Sequence, residues 1–320
     1  RPHDPEINYL LGLIYLKKNN YIDAKFYYRY RTKRLINKYG RFDDFNFPEL
    51  KKDSELLIGW EQGVGDQILF SRLLQAIRQK VSKLTVIVSD KLFELLSFNY
   101  HDISFVKTSE CEELINNSKY IKINMGSMMF YVTDCKKEIK KSKYLNVEKS
   151  LVENYAKLLK TKGKKIIGIS WKSINKYNGS NKSFSVSDLK NLFQNDKYIF
   201  VNLQYGDVES ELKLIKKKYG IDIKTINDID YYNDIYKLSA LIKVCDEVIS
   251  CSNVTAHLAG SLGVSTRLIL SKSLNKLWYW YDDKEKSSWY PSIKFYHQVT
   301  QGKWGEPISN IIDDLENLSK

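Results

Sequence analysis

The chain has 320 residues, 43% of them apolar, which is enough for a real core and, at about 100–200 residues per domain, points to two domains rather than one. No run of about 18 consecutive apolar residues occurs, so no transmembrane helix is expected, and Arg1-Pro2-His3-Asp4 lacks the basic-then-apolar layout of a secretory signal. The formal charge is +13, but only 8 of the 51 basic residues are Arg, the residue that reads phosphates and bases best, so nucleic acid is not the expected partner. A Lys-rich surface instead suits acidic lipid or an anionic glycan. Cys111, Cys135, Cys245 and Cys251 form no C-x-x-C pair, and the few His are scattered. This argues against a zinc site and a disulfide framework. It fits a cytoplasmic compartment, with peripheral association at the inner membrane face as a further option. The chain begins without Met, which suggests a piece of a longer protein.

Along the chain, Ile7, Leu10, Leu11 and Ile14 recur at helical spacing, Asn19-Asn20 makes a turn, and Tyr21, Ala24, Tyr27, Tyr28 and Arg31 continue a second helix. With Gly12, Tyr15 and Ala24 so placed, residues 1–40 resemble one tetratricopeptide unit. Such a unit cannot bury its own face and must lean on something else. From about residue 54, strands at 56–60, 84–88, 103–106 and 120–123 alternate with helices at 66–80 and 91–98. That is the rhythm of a parallel α/β sheet, here the expected domain 41–146. Polar, Lys-rich residues 134–149 read as a linker. A second α/β set, the expected domain 147–304, has strands at 165–170, 198–203, 222–225, 247–250 and 266–270. Its helices are expected at 151–159, 186–193, 208–219, 232–244 and 254–262. An aromatic-rich loop spans 272–291, and residues 305–320 hold an amphipathic helix expected to pack back towards the first domain. The fold class is therefore α/β, with two Rossmann-like parallel-sheet domains facing a cleft and a short helical pair in front.

Two strand-to-helix junctions carry polar residues. Trp60-Glu61-Gln62-Gly63-Val64-Gly65-Asp66 follows an apolar strand and opens a helix. Gly63 and Gly65 let the backbone turn sharply and bring N–H groups near a ligand, and the helix N-terminus favours negative charge. Asp66 either caps that helix or projects a carboxylate towards a ligand, and capping is the commoner role. In the second domain, Ser250-Cys251-Ser252-Asn253-Val254-Thr255-Ala256-His257 runs from strand to helix, with small polar residues that leave amides open to a phosphate. His257 reads equally well as a satisfied structural histidine. The rings of Trp278, Tyr279, Trp280, Tyr281, Trp289 and Tyr290 read first as packing for the final helix and second as a sugar platform.

The ordered segments Glu61–Arg72, Ile167–Trp171, Val201–Gly206, Asp246–Ser250 with His257–Gly263, and Ser288–Ser292 with Gly302-Lys303-Trp304 resemble those of tetratricopeptide-linked glycosyltransferases. These are relatives of the heptosyltransferases of glycosyltransferase family 9, and the likeness spans about residues 10–315. It implies the GT-B fold and inverting, metal-independent transfer of a sugar from a nucleotide-sugar donor to a hydroxyl of a glycan, lipid-linked glycan or protein. The implied general base is Asp66, in a turn with Gln62, Gly63 and Gly65. The implied donor-binding residues are Lys172, Lys182, Gln204, Ser252, Asn253, Thr255 and His257. No cofactor is implied, the nucleotide sugar being substrate. Asp228-Ile229-Asp230 has metal-motif spacing but lies in a loop rather than at a strand end. Ser252 stands where many relatives carry Asp, and Trp278-Tyr279-Trp280 where many carry Trp-Arg-Trp. Two other readings remain open from the residues: a nucleotide-sugar epimerase, disfavoured by the scarcity of His, and a non-catalytic interaction scaffold.

Overall fold

The computed structural model describes residues 4–31, 42–43, 45–132, 135–159, 163–175, 179–272, 277–280 and 285–317. They form two compact units, Arg1–Lys141 with Leu277–Tyr281, and Ser142–Lys276 with Asp282–Lys320.

In the first unit, helices α1 (Pro5–Lys17) and α2 (Tyr21–Tyr28) precede strands β1 (Glu55–Gly59), β2 (Lys83–Val88), β3 (Ser104–Lys107) and β4 (Ile121–Asn124). The strands form one parallel sheet in the order β3-β2-β1-β4. Leu56, Leu57 and Ile58 of β1 are all fully buried, as expected of a parallel strand covered on both faces. Helices α3 (Val64–Ser71), α4 (Leu74–Arg78), α5 (Phe93–Asn99) and α6 (Glu112–Asn116) lie between the strands, and α7 (Cys135–Ile139) follows them. The helix expected over 66–80 is thus two helices, interrupted at Arg72-Leu73. Arg72 is buried there and donates to the carbonyls of Ile139 and Lys141. The helical pair is not a separate body: α2 packs on the turn at 125–130 and α1 on residues 278–280. It is also tightly closed on itself, since a Cβ on Gly12 would fall 2.5 Å from the Tyr28 backbone nitrogen.

The second unit runs α8 (Lys149–Leu159), β5 (Lys165–Ser170), α9 (Gly179–Lys182), β6 (Tyr198–Asn202), α10 (Glu209–Tyr219), α11 (Ile235–Val244), β7 (Glu247–Cys251), α12 (Val254–Ser261), β8 (Ser265–Leu270), β9 (Ile293–His297) and α13 (Gly305–Asn317). Its parallel sheet has the order β6-β5-β7-β8-β9.

Several expectations change here. The strand expected at 222–225 is a single bridge from Lys224 to Val201, on the outer side of β6. The helix expected at 186–193 is two 3-10 turns, the first capped by Ser185 and Asp188. Strand β9 was not anticipated, because its alternation of Ile293, Phe295 and polar residues is masked by the aromatic stretch before it. The expected linker at 134–149 is divided between the units. Ile139 is buried in the first, while the Tyr144 and Leu145 amides donate to the Ser261 carbonyl of the second. The last helix belongs to the second unit. Ile308, Ile311 and Leu315 of α13 join the core of the second sheet with Ile167, Ile169 and Ile249, because its apolar stripe matches that sheet's open face.

Candidate functional site

In open α/β sheets the crevice beyond the carboxyl ends of the strands opens at the point where the strand order reverses. In the first unit that point lies between β1 and β4, and in the second between β5 and β7. Both polar junctions named from the sequence sit at these points.

The chain leaves β1 through Trp60 and Glu61. Glu61 is 3% exposed and meets the wholly buried Arg31, whose Nε donates to Oε1 (2.6 Å) and whose NH2 donates to Oε2 (3.0 Å). The Gly126 amide, just past β4, donates to the same Oε2 (2.9 Å), and Arg31 also donates to Ser127 Oγ (2.8 Å). A carboxylate therefore ties the ends of the two switch-point strands together. Burial works against its charge, but the Arg31 guanidinium and the Gly126 amide outweigh burial and hold the Glu61 carboxyl below its usual range. Only glycine fits at 126, since a Cβ there would lie 2.9 Å from Glu61 Oε2 and 3.2 Å from Arg31 Nε.

Gln62 then takes a left-handed backbone, φ 61°, a strained conformation for a side-chain-bearing residue. Its amide donates to the Tyr28 hydroxyl (3.1 Å), and Tyr28, buried against Tyr9, Phe130 and Arg31, belongs to the helical pair. The pair thus buttresses the turn. Gly63 precedes α3 in extended conformation, and Asp66 sits on the first turn. The Gly63 N–H donates to Asp66 Oδ2 (3.1 Å) and the Tyr279 hydroxyl donates to Oδ1 (3.1 Å). Asp66 therefore does cap its helix, yet it remains half-buried rather than enclosed. Gly65 is inside the first turn of α3. Tyr279 is buried with Trp278 and Trp280, and Trp278 packs near Phe70 of α3. Of the aromatic loop, these three rings belong to the first unit, whereas Trp289 and Tyr290 belong to the second. Tyr281 lies outside the described residues.

In the second unit the side chains named for donor binding are mostly committed to the fold. Gln204, 1% exposed, accepts through one oxygen from Ser170 Oγ (3.0 Å) and the amides of Trp171 (2.8 Å) and Lys172 (2.7 Å), and donates to the Tyr205 carbonyl (2.9 Å). Asn253 caps α12 and donates to Ser170 Oγ (2.7 Å) and the Lys172 carbonyl (2.9 Å). Thr255 donates to the Leu203 carbonyl (3.3 Å). These three brace β5, β6 and α12 against one another, because each is buried and must satisfy its polar atoms there. His257 is structural in the same sense. Its Nδ1 lies 2.9 Å from the Tyr290 hydroxyl, and burial, with the Lys182 charge adding, pushes its imidazole down to about 3. Ser252 makes no side-chain hydrogen bond among the described residues and stands at the junction itself.

The two candidate lysines differ. Lys172 is ion-paired with Glu211, whose other oxygen accepts from the Trp171 indole (2.9 Å). Lys182, on α9, brings its charge near both Cys251 and His257, lowering the proton affinity of each, although burial still pushes the Cys251 thiol up to about 12. The Lys182 charge therefore acts at the β7–α12 junction. Beside Gln204, a groove of about 400 Å³ is lined by Asp207, Glu209, Lys213, Asn227 and Tyr231 among others. Asp228 and Asp230 serve their own loop: Asp230 accepts from the amides of Tyr232 (2.9 Å) and Asn233 (3.0 Å), and Tyr155 reaches Asp228 (3.5 Å). Among the described residues no group of three or more His, Cys, Asp or Glu is gathered to hold a metal ion. No helix among them is long and apolar enough to cross a membrane.

Arg31 and Tyr279 were not named as site residues from the sequence. Arg31 was read only as part of a helical pattern, and nothing local announces that it pairs with Glu61 thirty positions later. Tyr279 was hidden among neighbouring rings.

No protein-family model matches the chain. Protein FlbA of Caulobacter vibrioides is 25% identical over 286 residues, covering 84% of this chain and 47% of FlbA, so the chain spans about half the length of this curated relative. Among solved structures, the glycosyl transferase family 9 protein from Veillonella parvula DSM 2008 superposes with a TM-score of 0.62 at 11% identity, over 85% of this chain and 99% of that one. ADP-heptose lps heptosyltransferase II of E. coli gives 0.56 at 10% identity, over 82% and 98%. Two parallel α/β units, each with its polar junction at the switch point, and these superpositions together give the chain the GT-B fold seen in the family 9 glycosyltransferases.

Proposed function

We propose that the chain is an inverting, metal-independent glycosyltransferase that moves a sugar from a nucleotide-sugar donor to a hydroxyl of a glycan, lipid-linked glycan or protein. The observation that carries this reading is Asp66, a half-buried carboxylate at the switch point of the first sheet, bonded by the Gly63 amide and the Tyr279 hydroxyl. Asp66 takes the acceptor hydroxyl proton as the acceptor oxygen bonds to the anomeric carbon, and the bond to the diphosphate breaks on the opposite face. The second unit holds the donor. Lys182 and the amides at the start of α12 meet the charge growing on the leaving diphosphate, an electrostatic term that matters most in a preorganised site. Ser252 lies beside them. Gln204, Asn253, Thr255 and His257 hold that junction in shape, Lys172 stays with Glu211, and the groove beside Gln204 takes the nucleoside, with Asp207 and Glu209 as acceptors for ribose hydroxyls.

The test is a thermal-shift screen with ADP, UDP, GDP, CDP and dTDP. A ligand that binds only the folded state at 100 times its dissociation constant adds about 2.7 kcal/mol. A shift with one nucleotide, kept in Asp66→Asn while that variant loses transfer, is the expected result. No shift with any of the five would sink the donor site.

A further inference from the structure

Resting on the reading of Asp66 as the base, we infer that Tyr279 is its positioning residue: a buried hydroxyl that donates to the carboxylate and fixes its orientation. Four observations carry this. Residues Leu277–Tyr281 belong to the first unit, although the chain on both sides belongs to the second. Trp278, Tyr279 and Trp280 are all buried in it, so the hydroxyl has little freedom to swing away. The hydroxyl lies 3.1 Å from Oδ1 while the Gly63 amide lies 3.1 Å from Oδ2, so the plane of the carboxylate is held from both sides. Burial first, then the Asp66 charge beside it, raises the Tyr279 phenol well above its usual range, so it stays a donor at any working pH.

The partner's neutrality has a chemical consequence. A hydrogen bond to the charged form favours ionisation modestly, whereas a cation in the same place favours it strongly. Replacing Tyr279 by a residue with no donor or by a cation therefore separates the two effects. Among the described residues, Tyr9 on α1 and Tyr28 on α2 also act on the Tyr279 phenol, with the Arg31–Glu61 pair beyond Tyr28.

The experiment follows the Asp66 carboxyl by carbon NMR in protein labelled at aspartate, the signal being assigned by its loss in Asp66→Asn. In Tyr279→Phe, which keeps the ring, the proton affinity of Asp66 should rise about tenfold, and in Tyr279→Arg it should fall. The reciprocal titration of the Tyr279 phenol should show a lower value in Asp66→Asn, and it serves if Tyr279→Phe does not fold. An Asp66 titration unchanged in Tyr279→Phe, or a Tyr279 titration unchanged in Asp66→Asn, would overturn the inference. Turnover of ADP-, UDP-, GDP- and CDP-activated sugars separates this from the parent reading. If Asp66→Asn turns over donor as the wild type does while the titrations still move, Tyr279 governs the carboxylate but the carboxylate is not the base. If Asp66→Asn is inactive and the titrations do not move, the base stands and the role of Tyr279 falls.

Discussion

The two strand-to-helix junctions make an instructive pair. Both follow a buried apolar strand, and both sit where strand order reverses. After β1, Arg31, Glu61 and the Gly126 amide are bonded to one another beneath the turn, Gln62 reaches Tyr28, and the Asp66 carboxylate is left half-buried on the first turn of α3. After β7, the side chains themselves are the brace: Gln204, Asn253 and Thr255 all turn inward, leaving Ser252, Lys182 and the start of α12 at the junction. One junction presents a side chain on a supporting network. The other uses its side chains as the network and presents backbone. On the proposed reading the first takes the acceptor's proton, a task for one side chain. The second suits a diphosphate, which several amides and one ammonium can share.

The comparison is broken most severely at the first junction. Asp66→Asn should lower transfer by about 10²- to 10⁴-fold, the usual worth of a positioned base. Steady-state rates with the nucleotide sugar found by the screen check it, and nucleotide binding should be unchanged. Glu61→Ala leaves Arg31 buried without its carboxylate and should cost about 3–5 kcal/mol in a denaturant titration. Gly126→Ala should destabilise by the same route, through the steric clash at Glu61.

Mutations at the second junction sharpen the contrast. Lys182→Met should weaken nucleoside diphosphate binding by about 1.5–3 kcal/mol, the range for a hydrogen bond to a charged group, whereas Lys172→Met should weaken it less. Equal losses measured by calorimetry would contradict the distinction between the two lysines. Asn253→Ala removes a helix cap and should cost about 1–2 kcal/mol of stability.

The pH response of His257 is spread over a window rather than read at one pH. Its folded value is near 3 against an ordinary value near 6.5, so below about 6.5 the unfolded chain binds a proton that the folded chain does not. Stability then rises with pH across that window, with a contribution of at most about 1.4 kcal/mol per pH unit. His257→Gln should flatten the dependence by that amount in denaturant titrations between pH 4 and 6.5. An unchanged slope would mean that the imidazole protonates in the folded state.

Much of this was legible in the chain because the signals were local. The apolar runs at 56–58 and 166–169 dictate buried parallel strands, and the Gly-Asp turn at 63–66 and the Ser-Asn run at 252–253 mark helix starts by residue type alone. Pairing across long sequence distances was not legible. Arg31 with Glu61, Asp66 with Tyr279 and Asn253 with Ser170 are set by how strands order in a sheet, and local patterns do not report that order. The last helix could not be placed from its stripe either, since an apolar face says that something must cover it and not what. What the sequence by itself determined is the kind of elements and where the polar turns fall, because those follow from side-chain periodicity and turn chemistry within a few residues. Which of those polar groups are spent holding the fold and which remain for chemistry was decided only by the tertiary structure, because a buried donor or acceptor must find its partner wherever packing puts one.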